Sequence, residues 1–259
     1  LAIGTNDYVL TSDGTDIAWE AAGGGGAEDL DDLTDVKAGG TNFTRSIMIG
    51  HTTTGTLSSA VDNIAMGYNA LDAVTSGTGN TAIGSYALTG LTTGTNNIVV
   101  GNGMCQNLTS ARDIVAIGSS INITGSYNTA IGYYAMQAGA ASGEGNVAIG
   151  RYAGNNITTG TYNTIIGTSA GQHIQAGDKN VLIGADAGNV GGLNDMEQNV
   201  AVGHSAMTAG AKTDATINNV AVGYQSLYNI TTGNHNVALG YKAGENTTTA
   251  AGNVYIGRE

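Results

Sequence analysis

The chain has 259 residues, of which 42 are Gly and none is Pro, and its formal net charge is −12. Only 5% of the residues are aromatic and Trp occurs once, which disfavours a conventional globular core. Residues 1–37 hold nine acidic residues and one basic residue, so most of the negative charge lies near the N-terminus. Neither part of the chain carries a basic stripe, which argues against nucleic-acid binding.

The first predicted element is a small β-hairpin module within residues 1–22. A strand-like run, YVLTS, precedes the turn pair Asp13-Gly14, and the sequence DIAW returns after it. Residues 23–45 then form a predicted Gly-rich and acidic linker. The acidic residues of this linker could bind a cation, but we favour a solvated segment: Asp29, Asp31, Asp32 and Asp35.

Residues 46–259 repeat a short phrase, Asn-aliphatic-Ala-aliphatic-Gly, with a period of about 17 residues in most copies. Irregular intervals gain or lose residues after the Gly and not within the phrase, which marks the phrase as fixed geometry. Two copies, SIMIG at 46–50 and IVAIG at 114–118, are degenerate. The copies end at Gly50, Gly67, Gly84, Gly101, Gly118, Gly132, Gly150, Gly167, Gly184, Gly203, Gly223, Gly240 and Gly257.

This pattern predicts an all-β repeat solenoid, a parallel β-roll with two short strands and two turns in each coil of about 17 residues. About thirteen coils with a spacing of ~4.8 Å would form a rod roughly 60 Å long. We expect the Asn of each phrase to form side-chain ladders between coils. We expect the final Gly to occupy a bend where a Cβ atom would clash.

Alternate residues of a strand face opposite sides, so the phrase has two faces. We predict that the large aliphatic residues face the interior of the roll and that the central Ala faces outward. An exposed Ala strip would be a long apolar patch, so we predict a homotrimer that covers it. The predicted trimer-facing residues are Ala65, Ala82, Ala116, Ala130, Ala148, Ala201, Ala221 and Ala238.

Tyrosines recur just after the Gly of the phrase. Their rings could stack on a host glycan or could simply cover the edges of the coils, and the sequence leaves both possibilities open. The candidate ligand-contact residues are Tyr68, Tyr86, Tyr133, Tyr134, Tyr152, Tyr224 and Tyr241.

We predict no catalytic residues, no metal site and no cofactor, because no nucleophile–base pair, phosphate-binding loop or Cys/His cluster occurs. His51 and His204 could form metal-binding rings in a trimer, but exposed surface histidines are the simpler interpretation. Cys105 occupies a position where other repeats have Leu or Met, which indicates a small buried hydrophobic residue. No apolar stretch is long enough to span a bilayer, so we predict no membrane insertion.

The repeated phrase, followed by Ala three residues later, resembles the head-domain repeat of trimeric autotransporter adhesins, the YadA-like β-roll. The resemblance covers residues 46–259 and implies a left-handed parallel β-roll that trimerises side by side. The period of this chain is somewhat longer than is usual in that family. The recurrent Thr-Thr-Gly turn also differs from the Ala/Ser-rich turn of adhesin heads.

The N-terminal segment is similar to phage tail fibres instead. Residues 1–20 resemble a module common in these fibres, and EDLDDLTDV at 28–36 resembles their LDDLTDV segments. We therefore predict a structural fibre protein of a virion, which binds other fibre or baseplate proteins and contributes to host-cell attachment. The alternatives are the head of a bacterial trimeric adhesin on the cell surface or, less favoured, an ice- or surface-binding solenoid.

Overall fold

The computed structural model describes residues 8–12, 17–21, 36–38, 42–50, 57–137, 141–189, 196–208 and 216–259, and these residues contain strands and turns but no helix. None of them forms a helix that could cross a membrane. Strands β1 (Tyr8–Ser12) and β2 (Ile17–Ala21) pair antiparallel, with Tyr8 opposite Ala21. The predicted hairpin is therefore confirmed, whereas its turn at Asp13-Gly14 lies outside the described residues.

The repeats form one parallel sheet in which each phrase contributes a strand next to the strand of the following phrase. The fold is a β-solenoid with a period of roughly 17 residues, as predicted. In the described part of the chain, its parallel strands are β5 (Ile47–Ile49), β7 (Ile64–Met66), β8 (Thr81–Ile83), β9 (Ile98–Val100), β10 (Val115–Ser119), β11 (Thr129–Tyr133), β12 (Val147–Ile149), β13 (Thr164–Ile166), β14 (Val181–Ile183), β15 (Val200–Val202), β16 (Val220–Val222), β17 (Val237–Leu239) and β18 (Val254–Ile256).

The sheet extends into the segment that was predicted as a linker. Strand β3 (Val36–Ala38) pairs antiparallel with β5 and lies at the end of the sheet. Strand β4 (Phe43–Thr44) pairs in parallel with β6 (Ala60–Val61) on a separate two-stranded sheet. An antiparallel strand at this position supplies hydrogen bonds to the first coil, whose edge would otherwise be unpaired.

Pairing register follows the phrase and ignores the length of the intervening segment. Ala116 lies opposite Ala130 although the interval between their phrases is the shortest in the array. Ala201 lies opposite Ala221 across the longest interval. Insertions and deletions are therefore absorbed outside the strand, as the sequence predicts. A one-residue slip would turn the side chains of a strand to the opposite face, which explains why the register is maintained.

The second side of each coil is built mostly from turns. Isolated bridges such as Thr78 to Thr95 mark the predicted second strand, but few longer pairings occur there among the described residues. Tyr86 and Leu88, at φ 59° and 52°, have left-handed backbone conformations on either side of Ala87. Left-handed residues at every second position prevent an extended strand. Backbone hydrogen bonds still join the coils on this side: the Tyr86 N–H donates to the Tyr68 carbonyl at 2.7 Å.

The Gly that ends each phrase allows the closest approach between coils. Gly84 has a φ of +125°, and a Cβ atom added to it would lie 2.6 Å from the carbonyl oxygen of Gly101. The equivalent Cβ at Gly67 would lie 2.6 Å from the carbonyl carbon of Gly84. The predicted role of this Gly column is confirmed, since both the conformation and the spacing exclude a side chain.

The Asn of each phrase forms the predicted ladder inside the roll. The side chain of Asn163 donates from Nδ2 to Asn146 Oδ1 at 3.0 Å and to the Gly177 carbonyl at 2.7 Å. The ladder starts from Ser46, whose hydroxyl accepts from the Asn63 N–H at 2.8 Å. It is interrupted at Ile114, whose N–H uses Asn97 Oδ1 as its acceptor. Stacked Asn side chains thus form hydrogen bonds with one another and with backbone carbonyls inside the roll.

The predicted orientation of the strands is wrong. The central alanines face the interior of the roll and have no exposed surface even in the isolated chain, so they cannot contact a partner. Space inside the roll is narrow and is already occupied by large side chains from the turn side, such as Leu71, Val74, Leu88 and Leu91. Only a small residue fits opposite them. The misassigned residues are Ala65, Ala82, Ala116, Ala130, Ala148, Ala201, Ala221 and Ala238.

Where the central strand residue is large, the turn side is small. Ile165 and Leu182 replace the usual Ala, and Gly171 occupies the turn position that holds Leu in three other coils, at Leu71, Leu88 and Leu227. A Cβ atom on Gly171 would lie 2.9 Å from Leu182 Cδ1 and 3.1 Å from Ile165 Cδ1. A large residue on the strand side is therefore matched by a small residue on the turn side of a neighbouring coil, and the interior stays closely packed.

Candidate functional surface

The outer side of the parallel sheet is an apolar surface. Because the middle residue of each strand faces inward, the first and third residues face outward. We call these outward residues of β5 and β7–β18 the aliphatic face. All third residues are aliphatic, and the first residues are aliphatic or Thr. Its most exposed members are Ile64, Met66, Ile83, Ile98, Ile117, Val237, Leu239, Val254 and Ile256.

The aliphatic face is long and narrow. Thirteen parallel strands spaced by ~4.8 Å give a length of about 60 Å, and two outward side chains on each strand give a width of about 10 Å. The resulting area, on the order of 600 Å², equals the largest apolar patches found on monomeric proteins. Apolar patches of this size are often functional. The sequence analysis predicted an apolar strip on the opposite side of the same strands.

The seven candidate tyrosines divide into two kinds of cluster. The rings of Tyr68 and Tyr86 meet edge to face, with centroids 5.3 Å apart. Tyr133 contacts Tyr134 edge to face at 4.3 Å and Tyr152 at 5.8 Å. An edge-to-face arrangement leaves one ring face free, so these rings could stack on a flat ligand.

Arg151 changes the character of the second cluster. Its guanidinium lies 4.6 Å from the centre of the Tyr152 ring, so a cation already occupies that face. A hydrogen bond to Tyr134 raises the pKa of the Tyr133 hydroxyl above its ordinary value. Tyr133 is the ring of this cluster with the most exposed surface, so it is the best placed for contact with a ligand.

The other tyrosines form a stacked column at the C-terminal coils. Tyr224 stacks on Tyr241 with centroids 5.3 Å apart and an angle of 10°, and His204 stacks on Tyr224 at 5.5 Å. Arg258 lies over the Tyr241 ring at 5.4 Å. Since the ring faces cover one another, this column presents edges and hydroxyl groups to solvent. His204 therefore contributes to packing, while His51 lies outside the described residues.

Two exposed tyrosines were missed by the sequence reasoning. Tyr127 and Tyr162 directly precede the phrase, and both have left-handed backbone conformations, at φ 62° and 57°. Arg112 donates from Nε to the Tyr127 hydroxyl at 2.7 Å. A Cβ atom on Gly145 would lie 2.7 Å from the Tyr162 ring, so this Gly makes room for it. The residue directly before the Asn varies from repeat to repeat, and an inspection of this position in the sequence would have revealed both tyrosines.

Two pairs of oppositely charged side chains lie on the described surface. Arg45 donates to both carboxylate oxygens of Asp62 at 2.6 and 2.7 Å, and this contact lowers the pKa of Asp62. Lys242 lies 3.1 Å from Glu245, and the hydrogen bond between them raises the pKa of Lys242. The Arg45–Asp62 pair is exposed and contributes little to stability, whereas Lys242 and Glu245 are half-buried.

Cys105 lies fully inside the roll. Burial raises the pKa of its thiol to about 11, so the thiol stays protonated at neutral pH. Its predicted role as a small buried hydrophobic residue is confirmed. Among the residues that the structure describes, no group of three or more His, Cys, Asp or Glu side chains could hold a metal ion. The acidic residues Asp29, Asp31, Asp32 and Asp35 lie outside this part.

Comparison with known proteins gives no relatives: no family model, no curated protein and no solved structure matches the chain. The aliphatic face, the tyrosine clusters and the shape of the repeat therefore carry the functional argument.

Proposed function

We propose that the chain is a structural fibre protein of a virion, a phage tail fibre, that assembles as a homotrimer and contributes to host-cell attachment without catalysis. The observation that carries this proposal is the aliphatic face. Its first and third strand residues stay exposed or half-exposed along thirteen coils of the isolated chain. A soluble protein gains most by covering a surface of this length with a second copy of itself.

The proposed contact between copies uses other residues than the alanines predicted from the sequence. The central alanines are inside each roll, so the contact is formed by the aliphatic residues on either side of them, such as Ile64 and Met66. Three copies packed by this face would each bury on the order of 600 Å², which falls somewhat below the ~800 Å² per partner of a standard protein interface. Contacts by the flanking turns would supply the remainder.

The oligomer is tested by the mass of the purified protein, measured by light scattering, and by electron microscopy of the particles. We expect a rod with three times the mass of one chain. The variant Ile83→Glu/Ile117→Glu places charges on the aliphatic face and should dissociate the rod into monomers. Thr93→Glu, on an exposed turn away from the sheet, is the matched control and should remain trimeric. A monomeric wild-type chain would contradict the proposal.

Attachment is tested with labelled protein on a panel of bacterial cells and with antibodies on purified virions. Binding to bacteria and labelling of virion fibres support the tail-fibre proposal. The variant Tyr133→Ala/Tyr134→Ala should weaken binding if these rings contact a host glycan, whereas unchanged binding by an intact trimer would exclude that role. Tyr224→Ala is a suitable comparison, because its ring faces are covered by neighbours.

The repeat itself favours a second candidate, the head of a bacterial trimeric adhesin. This candidate predicts labelling of bacterial surfaces by antibodies and binding of the protein to animal cells or matrix. Ice binding is less favoured, because the hydroxyl of the first threonine in several of these turns already donates to a backbone carbonyl. Thr75 and Thr92 donate from Oγ1 to carbonyls of the next coil, at 3.1 and 3.0 Å.

A further inference from the structure

Tyr224 and Tyr241 form a stacked pair of phenol rings in consecutive coils. Each directly follows the Gly of its phrase, so the spacing between coils places one ring over the other. Their centroids lie 5.3 Å apart and their planes differ by 10°. The two residues are 42% and 45% exposed, so a small oxidant in solution reaches both phenols. A close and accessible pair of this kind can be joined covalently.

Tyr68 and Tyr86 provide a comparison within the same chain. Their ring centroids are also 5.3 Å apart, and the two residues are 56% and 40% exposed. Their planes, however, meet at 80°, so the edge of one ring points at the face of the other. The two pairs therefore have equal separation and similar exposure, and they differ in orientation.

Orientation matters because of where the unpaired electron of an oxidised phenol resides. Loss of one electron and of the hydroxyl proton gives a phenoxyl radical, whose unpaired electron occupies the π orbitals, partly at the carbons ortho to the oxygen. These orbitals extend perpendicular to the ring. Stacked rings direct them at each other, whereas an edge-to-face pair does not. Holding two reacting groups in the productive orientation raises the rate of their reaction strongly.

No intrachain disulfide can tie the coils of this chain together. Cys105 is its single cysteine and is buried inside the roll. Neighbouring coils are joined by hydrogen bonds, such as the one from the Lys242 N–H to the Tyr224 carbonyl at 2.8 Å. A bond between the rings of Tyr224 and Tyr241 would close a loop of one coil and so restrict the unfolded chain. Such a bond would hold the C-terminal coils together.

We infer that Tyr224 and Tyr241 are a modification site, at which oxidation joins their rings as o,o′-dityrosine. Hydrogen peroxide, used by a haem peroxidase, is the oxidant. Each phenol loses one electron and one proton, and the two radicals form a carbon–carbon bond between ortho positions. The hydrogens on these carbons then move to the oxygens and restore both hydroxyls, while the peroxide is reduced to water. The inference goes beyond the proposed function and depends neither on trimer formation nor on attachment.

The test oxidises the full chain with hydrogen peroxide and a peroxidase and identifies linked peptides by mass spectrometry. We expect a Tyr224–Tyr241 link that forms about tenfold faster than a Tyr68–Tyr86 link. Chains that carry it should keep the mass of one chain on a denaturing gel. Tyr162 is 63% exposed but belongs to none of the ring pairs in the described part of the chain, so it should stay unlinked.

Conservative variants and the unfolded chain serve as controls. Tyr241→Phe keeps the ring but lacks the hydroxyl, so it should lose both the link and the rise in denaturation midpoint that the link gives, whereas Tyr162→Phe should retain both. In urea the preference for the stacked pair should vanish, because nearly equal lengths of chain separate the members of the two pairs. The inference is overturned if no Tyr224–Tyr241 link forms, if Tyr68 and Tyr86 link as fast, or if the preference survives unfolding.

Discussion

The Asn80 side chain and backbone both bond to one oxygen of Asn63. Its N–H donates to Asn63 Oδ1 at 3.0 Å, and its Nδ2 donates to the same atom at 3.0 Å. Asn63 and Asn80 have no exposed surface. The same pair of bonds recurs from Asn128 to Asn253, so one amide oxygen links each coil to the next.

Loss of a ladder Asn should destabilise the solenoid. Asn163→Ala removes the acceptor that Asn180 uses for its N–H and its Nδ2, both at 2.9 Å. Buried donors without an acceptor cost about 1–3 kcal/mol each, so we expect the free energy of unfolding to fall by roughly 2–4 kcal/mol. Chemical denaturation measures it. The exposed Asn102 is the control, and an equal effect of Asn102→Ala would contradict the ladder's importance.

The phrase Gly allows a comparison between steric clash and backbone strain. Gly84→Ala places a Cβ 2.6 Å from the Gly101 carbonyl oxygen at φ +125°. Gly257 has a similar φ of +120°, but a Cβ there meets nothing within 4 Å. We expect Gly84→Ala to lower the free energy of unfolding by more than about 3 kcal/mol and Gly257→Ala to lower it by roughly 1–3 kcal/mol. Equal losses in thermal denaturation would show that strain alone matters.

Volume exchange in the core predicts coupling between Leu182 and Gly171. Leu182→Ala should cost about 2–5 kcal/mol because it leaves a cavity. Gly171→Ala should be destabilising alone, because its Cβ would lie 2.9 Å from Leu182 Cδ1. In the double variant the new methyl group enters the space that Leu182 vacates. Its loss of unfolding free energy should therefore be about 1 kcal/mol smaller than the sum of the losses in the two single variants. Additive losses in a denaturation cycle would disprove the exchange.

Because the pKa of the buried Cys105 thiol is raised, we expect the protein to lose stability in alkaline solution. The pKa of the thiol is raised from 9.0 to about 11 in the folded chain, so the unfolded chain releases the proton first as the pH rises. The contribution of the protonated thiol is fully present below pH 9 and is lost progressively between pH 9 and pH 11. Denaturation of the wild type and of Cys105→Ala across this range isolates the effect. The wild type should show the steeper decline, and parallel curves would contradict the raised pKa.

Sequence periodicity alone predicted the features that every coil must share. The phrase Gly and the ladder Asn each contact their counterparts in neighbouring coils, so the stacking requirement appears in the sequence as strict recurrence. Gly84 excludes a side chain, and Asn63 supplies an acceptor, in the roles that their recurrence indicated. The parallel register also followed, because residues were gained and lost only outside the phrase.

The sequence could not decide which side of each strand faces inward. Alternation distinguishes Ala65 from Ile64 and Met66, but both sides are apolar, so the pattern fits either orientation. The decision depends on the turn side, where Leu71 and Leu88 enter the interior from left-handed backbone positions that no Gly marks in the sequence. Only the folded coil shows that these side chains fill the roll and leave room for Ala alone.

The cavity of about 250 Å³ beside the shortest coil, likewise, could not be predicted from the sequence. The short interval between Gly118 and Gly132 is visible in the sequence, but its consequence depends on how the neighbouring turns stack. Gln106 and Gln137 belong to different coils, and only the solenoid brings them to opposite walls of one cavity. Thus recurrence determined the repeating backbone of this protein, because identical contacts are made in every coil. Tertiary packing decided which surfaces remain exposed, because it depends on the residues in which the coils differ.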